Sequence, residues 1–360
     1  KLPKPQGYFG AEELFGINAP PDQQNQGLDV VRNVPDADLD LLERGEVPPS
    51  METALIDFIL SGAARAQRGG IDNPATMLIH VSRRIFEQNR IAAAINQRFQ
   101  EMRDDWRYQR QQGFRQILSE RWEGEFRRVT RLAFIERDIS FDQLEHFIGP
   151  FFESVSVRVI NSDSGDILDY EQNPNLKAIA IGGDRLSRGL TLGGLTVSYF
   201  VRRTVMYDTL MQMGRWFGFR GGYEDLTRIY TTDELAGWFS DLAFVEHQLR
   251  QDIQVYEELG LTPYRVGMRI WQHPVMAVTS PLKRRHAMPL TISQSYSGER
   301  PQTFRFPLKN LETLSHQEDQ NLIAVKEFLS SLNDPHWTEK GPMWADVPGD
   351  QILNFLQNFS

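Results

Sequence analysis

Cysteine is missing from all 360 residues. That absence removes disulfides, thiolate nucleophiles and every cysteine-based zinc or iron–sulfur site, and a reducing, cytoplasmic setting is the expectation. Lysine is scarce, occurring at Lys1, Lys4, Lys177, Lys283, Lys309, Lys326 and Lys340 alone. None follows a glycine, so the chain lacks the Gly-x-x-x-x-Gly-Lys-[Ser/Thr] loop that cradles nucleotide phosphates. None has Asp or Glu two positions before it, so the carboxylate–lysine grouping of a restriction-type nuclease is missing as well. The acidic pairs Glu12-Glu13, Asp104-Asp105 and Glu257-Glu258 lack the preceding apolar strand that a magnesium-holding acid needs. Seven scattered histidines form no His-x-x-x-His pair, so no metal site is expected. No apolar run approaches the ~20 residues that span a bilayer, no signal-peptide pattern opens the chain, and no membrane partner is expected.

What is present is an ordinary globular composition, with 40% hydrophobic, 11% aromatic and 24% charged residues and a net charge of −9. The charge is uneven: Arg83 to Arg137 holds thirteen arginines, no lysine and eight acids. Such a segment can track phosphates, or it can be a helical face whose Arg and Glu pair with one another. Trp106, Tyr108, Trp122 and Phe126 interleave with those arginines, which suits base stacking, although aromatics at helical spacing more often fill a core.

Residues 1–49 are proline-rich and polar, and read as an extended amino-terminal arm. The opening Lys1-Leu-Pro-Lys-Pro-Gln-Gly7 reads as linker, so the chain looks like a piece of a longer polypeptide. Ser50 opens a helix that closes at Gly69-Gly70. Short apolar runs at Thr76–Ser82, Ser154–Asn161, Leu176–Gly183, Leu195–Val201 and Thr227–Thr232 read as strands. A long helical stretch follows the first of them, with an Arg-rich helical insertion at about 100–140. Strands alternating with helices predict an α/β domain with a mostly parallel sheet over 50–240. Residues 241–360 read as an α+β appendage: a helix at 241–260, a hairpin in "LTISQSYSGERPQTFRFPL", and two helices beyond it. His80, inside an apolar strand, reads as a satisfied core histidine.

Two stretches carry chemistry. In "IAIGGDRLSRGLTL" (179–192) a strand runs into Gly182-Gly183, then Asp184, Arg188 and Gly189. Glycine at the carboxyl end of a parallel strand lets backbone approach a ligand. In "LMQMGRWFGFR" (210–220), Arg215 and Arg220 stand five apart around Gly218, and planar guanidinium forks suit phosphate oxygens. A third stretch, "SPLKRRHA", groups Lys283, Arg284 and Arg285 as a phosphate-contact loop, or as plain solvated charge.

The succession "MLIHVS", "IAIGGDRLSRGLTLGGLTVSYFVRR" and "YDTLMQMGRWFGFRGGYEDLTRIY" resembles the second RecA-like lobe of superfamily-two helicases. More closely, "GGDRLSRGLTL" and "QMGRWFGFRGGYEDL" resemble the Z-one domain of bacterial proteins, a family described as an endonuclease domain. It is found with helicase-type ATPases in restriction-modification neighbourhoods, beside methylases and Microrchidia-type ATPases. The resemblance implies a RecA-like, P-loop-NTPase-type sheet with flanking helices, and DNA as a partner. It gives Arg215 and Arg220 the role of arginine fingers, and Gly183, Asp184 and Gln212 contacts to ATP. Arg188 and Gly189 would couple that site to the nucleic-acid backbone, and Lys283, Arg284 and Arg285 join them as nucleic-acid contacts on their local charge alone. ATP and Mg2+ would then belong to the full-length protein, completed by an upstream RecA-like lobe, and no cofactor is expected on this chain alone. Two departures from the helicase pattern stand out. The arginines are spaced more widely than in Gly-Arg-x-x-Arg, leaving open which is the finger, and Thr191 stands where an Asp often meets ribose. The alternatives are a metal-dependent endonuclease and a catalytically silent module that binds DNA or a partner.

Overall fold

The computed structural model describes residues 7–16, 27–108, 113–187, 190–202, 204, 206–258, 311–338 and 341–359. Arg188, Gly189, Lys283, Arg284, Arg285 and the expected hairpin at 290–308 lie outside the described residues. The chain divides into two compact units, Lys1–Ile292 and Ser293–Ser360.

At the centre of the first unit is a six-stranded, wholly parallel sheet built from β2 (Val31–Asn33), β3 (Ala75–His80), β4 (Val155–Ile160), β5 (Lys177–Gly182), β6 (Leu195–Phe200) and β8 (Arg228–Thr231). Their order across the sheet is β2-β8-β6-β3-β5-β4. Every residue of β3, β5, β6 and β8 is buried, which is why those strands carry apolar side chains on both faces instead of on one. Only the edge strands β2 and β4 carry half-exposed residues.

Helices cover both faces. On one, α3 (Pro49–Arg65), α4 (Ile85–Tyr108), α5 (Phe114–Arg121) and α7 (Phe141–Ser154) pack on Met77, Ile79, Ile179, Ile181, Val197 and Tyr199. Gly62 makes the α3–α7 crossing close, because a Cβ there would stand 1.9 Å from the Phe151 ring. The other face is covered by the short α8 (Asp184–Ser187), by α9 (Tyr207–Met213) and by α10 (Asp233–Glu258). Phe200, Trp216 and Phe239 interlock there, the last two at 4.7 Å between ring centres.

The proline-rich arm enters the fold in a way its composition does not announce. β2 pairs in parallel with β8, and α2 (Asp36–Arg44) follows it, closed by Gly45 in the left-handed conformation at φ 79°. Earlier still, β1 (Tyr8–Phe9) pairs antiparallel with β7 (Gly218–Phe219), and Arg220 N–H donates to the Gly7 carbonyl. Helix α1 (Ala11–Phe15) buries Leu14 in the cluster that holds Trp216.

The Arg-rich segment, which runs on through α6 (Arg127–Ala133), resolves toward internal pairing. Arg121 grips buried Asp57 through two hydrogen bonds of 2.8 Å, Arg127 grips Asp138, and Arg137 reaches Glu224. Glu125 takes Arg228 and Arg32. Trp122 and Phe126 are core residues, stacked at 5.4 Å.

The second unit holds α11 (Leu311–Ser331), an antiparallel hairpin of β9 (His336–Thr338) and β10 (Gly341–Met343), and α12 (Gly349–Asn358). Phe328 and Phe355 stack across the two helices at 4.7 Å. Among the described residues, no helix is long and apolar enough to cross a membrane.

Candidate functional site at the carboxyl ends of the strands

From β3 the chain travels to the edge strand β4, returns to β5 beside β3, and then crosses to β6 on β3's other side. Connections therefore diverge at the carboxyl ends of β3, β5 and β6, the place where open parallel sheets hold ligands. Three polar side chains meet there. Arg202 donates to Asp184 Oδ1 at 2.6 Å and stands 2.9 Å from His80 Nε2, so one guanidinium joins the ends of all three strands. Burial, followed by the charge of Arg202, lowers the His80 pKa to about 3, so the imidazole is neutral and Nε2 accepts. Partial burial pushes the Asp184 carboxyl upward, but the hydrogen bond and charge of Arg202 outweigh it and hold the group below its usual range.

The turn between β3 and α4, "VSRR", forms the rim. Ser82 Oγ accepts from Arg84 N–H at 3.1 Å and donates to Glu87, which fixes the entry into the helix. Arg83 and Arg185 are exposed, and the Arg84 side chain is 81% exposed. Arg83 lies near enough to Asp184 and Arg202 for its charge to act on both. Arg185 donates to the Asn161 carbonyl at 2.7 Å, past the end of β4. Beside it a cavity of about 800 Å³ opens, lined by Ile160, Leu168, Tyr170, Arg185, Leu190 and Thr191.

Gly182 and Gly183 lie at this rim, but for packing reasons. A Cβ on Gly182 would meet the Ile160 carbonyl at 2.4 Å, and one on Gly183 would meet Gln88 Nε2 at 2.6 Å. Neighbouring protein already occupies the space those glycines leave.

Arg215 and Arg220 sit elsewhere. Arg220 is 6% exposed, and its guanidinium donates to the carbonyls of Phe219, Arg215 and Trp216 at 2.9–3.2 Å. Arg215 donates to the Leu190 carbonyl. Arg65, which feels the charge of Arg220, donates to the carbonyls of Pro74 and Gly194, the residues just before β3 and β6. The arginine group thus lies toward the amino ends of the sheet, whereas Asp184 and Gly183 mark the carboxyl ends. Gln212 is exposed on α9.

Within this chain Gly183 and Asp184 lie at the carboxyl ends of the strands, Gln212 is exposed on α9, Arg215 donates to the Leu190 carbonyl and Arg220 donates to backbone carbonyls. The ATP site expected of these five residues is one that an upstream lobe would complete, and no hydrolytic step is assigned to them. Among the described residues, no three His, Asp or Glu side chains gather closely enough to hold a metal ion.

Arg83, Arg84, Arg202 and Arg185 were not singled out by sequence reading. The available signal was arginines placed within four residues after predicted strands, in "LIHVSRR", "GGDR" and "YFVRR".

A parallel α/β protein with an arginine-rimmed crevice at its switch point is the class this arrangement defines. A family model, the Z1 domain, matches residues 50–278. The chain belongs to the Z1 domain family. No curated protein sequence and no solved structure matches it.

Proposed function

We propose that this Z1 domain grips the DNA backbone through the rim at the carboxyl ends of β3 and β5, as the DNA-contacting, RecA-like second lobe of a helicase-type ATPase. The observation that carries the reading is the exposure of Arg83, Arg84 and Arg185 at the switch point. Most of the arginines in the stretch that follows are held by carboxylates of the fold, whereas Arg84, though paired with Glu87 in the next helical turn, keeps its side chain exposed. Guanidinium groups presented outward on a rigid strand-end scaffold suit phosphate oxygens. The order of the motifs supports the helicase-lobe assignment, and the family resemblance alone suggests a setting in bacterial restriction or phage defence, with methylases or Microrchidia-type ATPases as neighbours. ATP and Mg2+ are assigned to an upstream lobe.

Each of Arg83→Ala, Arg84→Ala and Arg185→Ala is expected to weaken DNA binding and to reduce the slope of log affinity against log salt by about one. Fluorescence anisotropy of a labelled oligonucleotide from 50 to 300 mM KCl measures both quantities. Unchanged affinity and slope in all three variants would remove the rim from the interface.

A further inference from the structure

The rim carries one side chain that phosphate contact does not explain. Phe86 is 73% exposed, in the first turn of α4, two residues beyond Arg84. The residues α4 buries are Gln88, Ile91, Ala92, Ile95, Phe99 and Met102, a stripe set by helical spacing. Phe86 falls off that stripe and points away from the core that orders the rest of the helix. Arg90, one turn on, lies with its guanidinium carbon 5.7 Å from the Phe86 ring centre. Arg83 and Arg84, both exposed, precede it in the chain, and Arg90 also donates to the Glu43 carbonyl, so the ring touches one held arginine and shares the β3–α4 junction with two exposed ones. Leu132 is as exposed, at 77%, but it is aliphatic and offers no ring face on which a base could stack.

We infer that Phe86 is a stacking platform for an unpaired base, which makes the rim selective for single-stranded over duplex DNA. The inference rests on the DNA-contact reading of the same rim. An aromatic face beside a cationic track accepts any base whose own face is open. In a duplex those faces are covered by neighbouring bases, so the platform discriminates by strand state and not by sequence. Arg83 and Arg84 follow the backbone while the ring takes the base.

The test uses the full 360-residue chain with Phe86→Ala, Phe86→Leu and Phe86→Trp. Anisotropy is read on a labelled oligothymidine of twenty nucleotides and on a labelled duplex of equal length. Phe86→Ala and Phe86→Leu are expected to lose on the order of tenfold in affinity for the single strand, with duplex affinity unchanged, and Phe86→Trp to retain binding. Because the ring is exposed, these variants keep the wild-type fold, which circular dichroism verifies. Equal single-strand affinity in wild type and Phe86→Ala overturns the inference, as does an equal loss on both substrates. Loss of binding in the arginine variants with none in Phe86→Ala sinks the platform and leaves the rim. No loss in either set sinks both.

Discussion

Burial and the neighbouring Arg202 charge keep His80 neutral down to about pH 3, while in the unfolded chain its pKa returns to about 6.5. A depressed folded pKa means that the unfolded state binds the proton first, so stability falls as pH drops through the window from 6.5 toward 3. The groups facing the imidazole are Arg202, which cannot lose its charge in this range, and Asp184, whose carboxyl is held low. At pH 5 the expected loss relative to pH 7.5 is about 2 kcal/mol, at ~1.4 kcal/mol per unit. Urea denaturation at the two pH values checks this, and His80→Gln should flatten the difference. Asp138, held at about 2 by its hydrogen bond with Arg127, acts in a separate window: its contribution is lost only below about pH 3.8. The burial of His80 was legible in "MLIHVS". Its partner was not, because Arg202 lies 122 residues away and reaches it only through the pairing of β3 with β6.

Strands were the most legible elements. The runs at Thr76–Ser82, Ser154–Asn161, Leu176–Gly183, Leu195–Val201 and Thr227–Thr232 correspond to β3, β4, β5, β6 and β8 within two residues at each end. Continuous burial on both faces leaves a strong apolar signal. β2 left none, because three residues at a half-exposed edge need no apolar run, and β1 and β7, two residues each, are defined only by one another. Helix crossings were equally invisible, since they depend on which small residue meets which ring. Gly62→Ala places a methyl inside the contact with Phe151 on α7, and it is expected to cost about 1–3 kcal/mol in unfolding free energy, measured by urea titration. Gly124, whose absent Cβ meets nothing within 4 Å, supplies the control: alanine there should be neutral or slightly stabilising.

Among the described residues of the first unit, arginine acts chiefly as internal mortar. Arg121, Asp57 and Tyr230 tie α5 to α3 and β8, and Arg228, Glu125 and Arg32 tie β8 to β2. Asp57 is fully buried, so Asp57→Asn takes the carboxylate that Arg121 grips, leaving Arg121 only the longer ion pair with Glu125 at 3.6 Å, and is expected to cost about 3 kcal/mol, whereas Arg128→Ala, which breaks a half-exposed pair with Asp29, should cost under about 1 kcal/mol. Thermal unfolding of both variants separates the cases. Composition could count these arginines but not say which way they face, and so the stretch that looked most basic is largely neutralised while the rim drew no notice. The consequence concerns how the molecule meets a polyanion. A body with a formal charge of −9 repels a polyanion in most orientations of approach, and under the DNA contact proposed above the exposed cations at the strand ends would make one orientation productive. On that proposal, selection between poses begins in the diffusive encounter, before any side chain is touched.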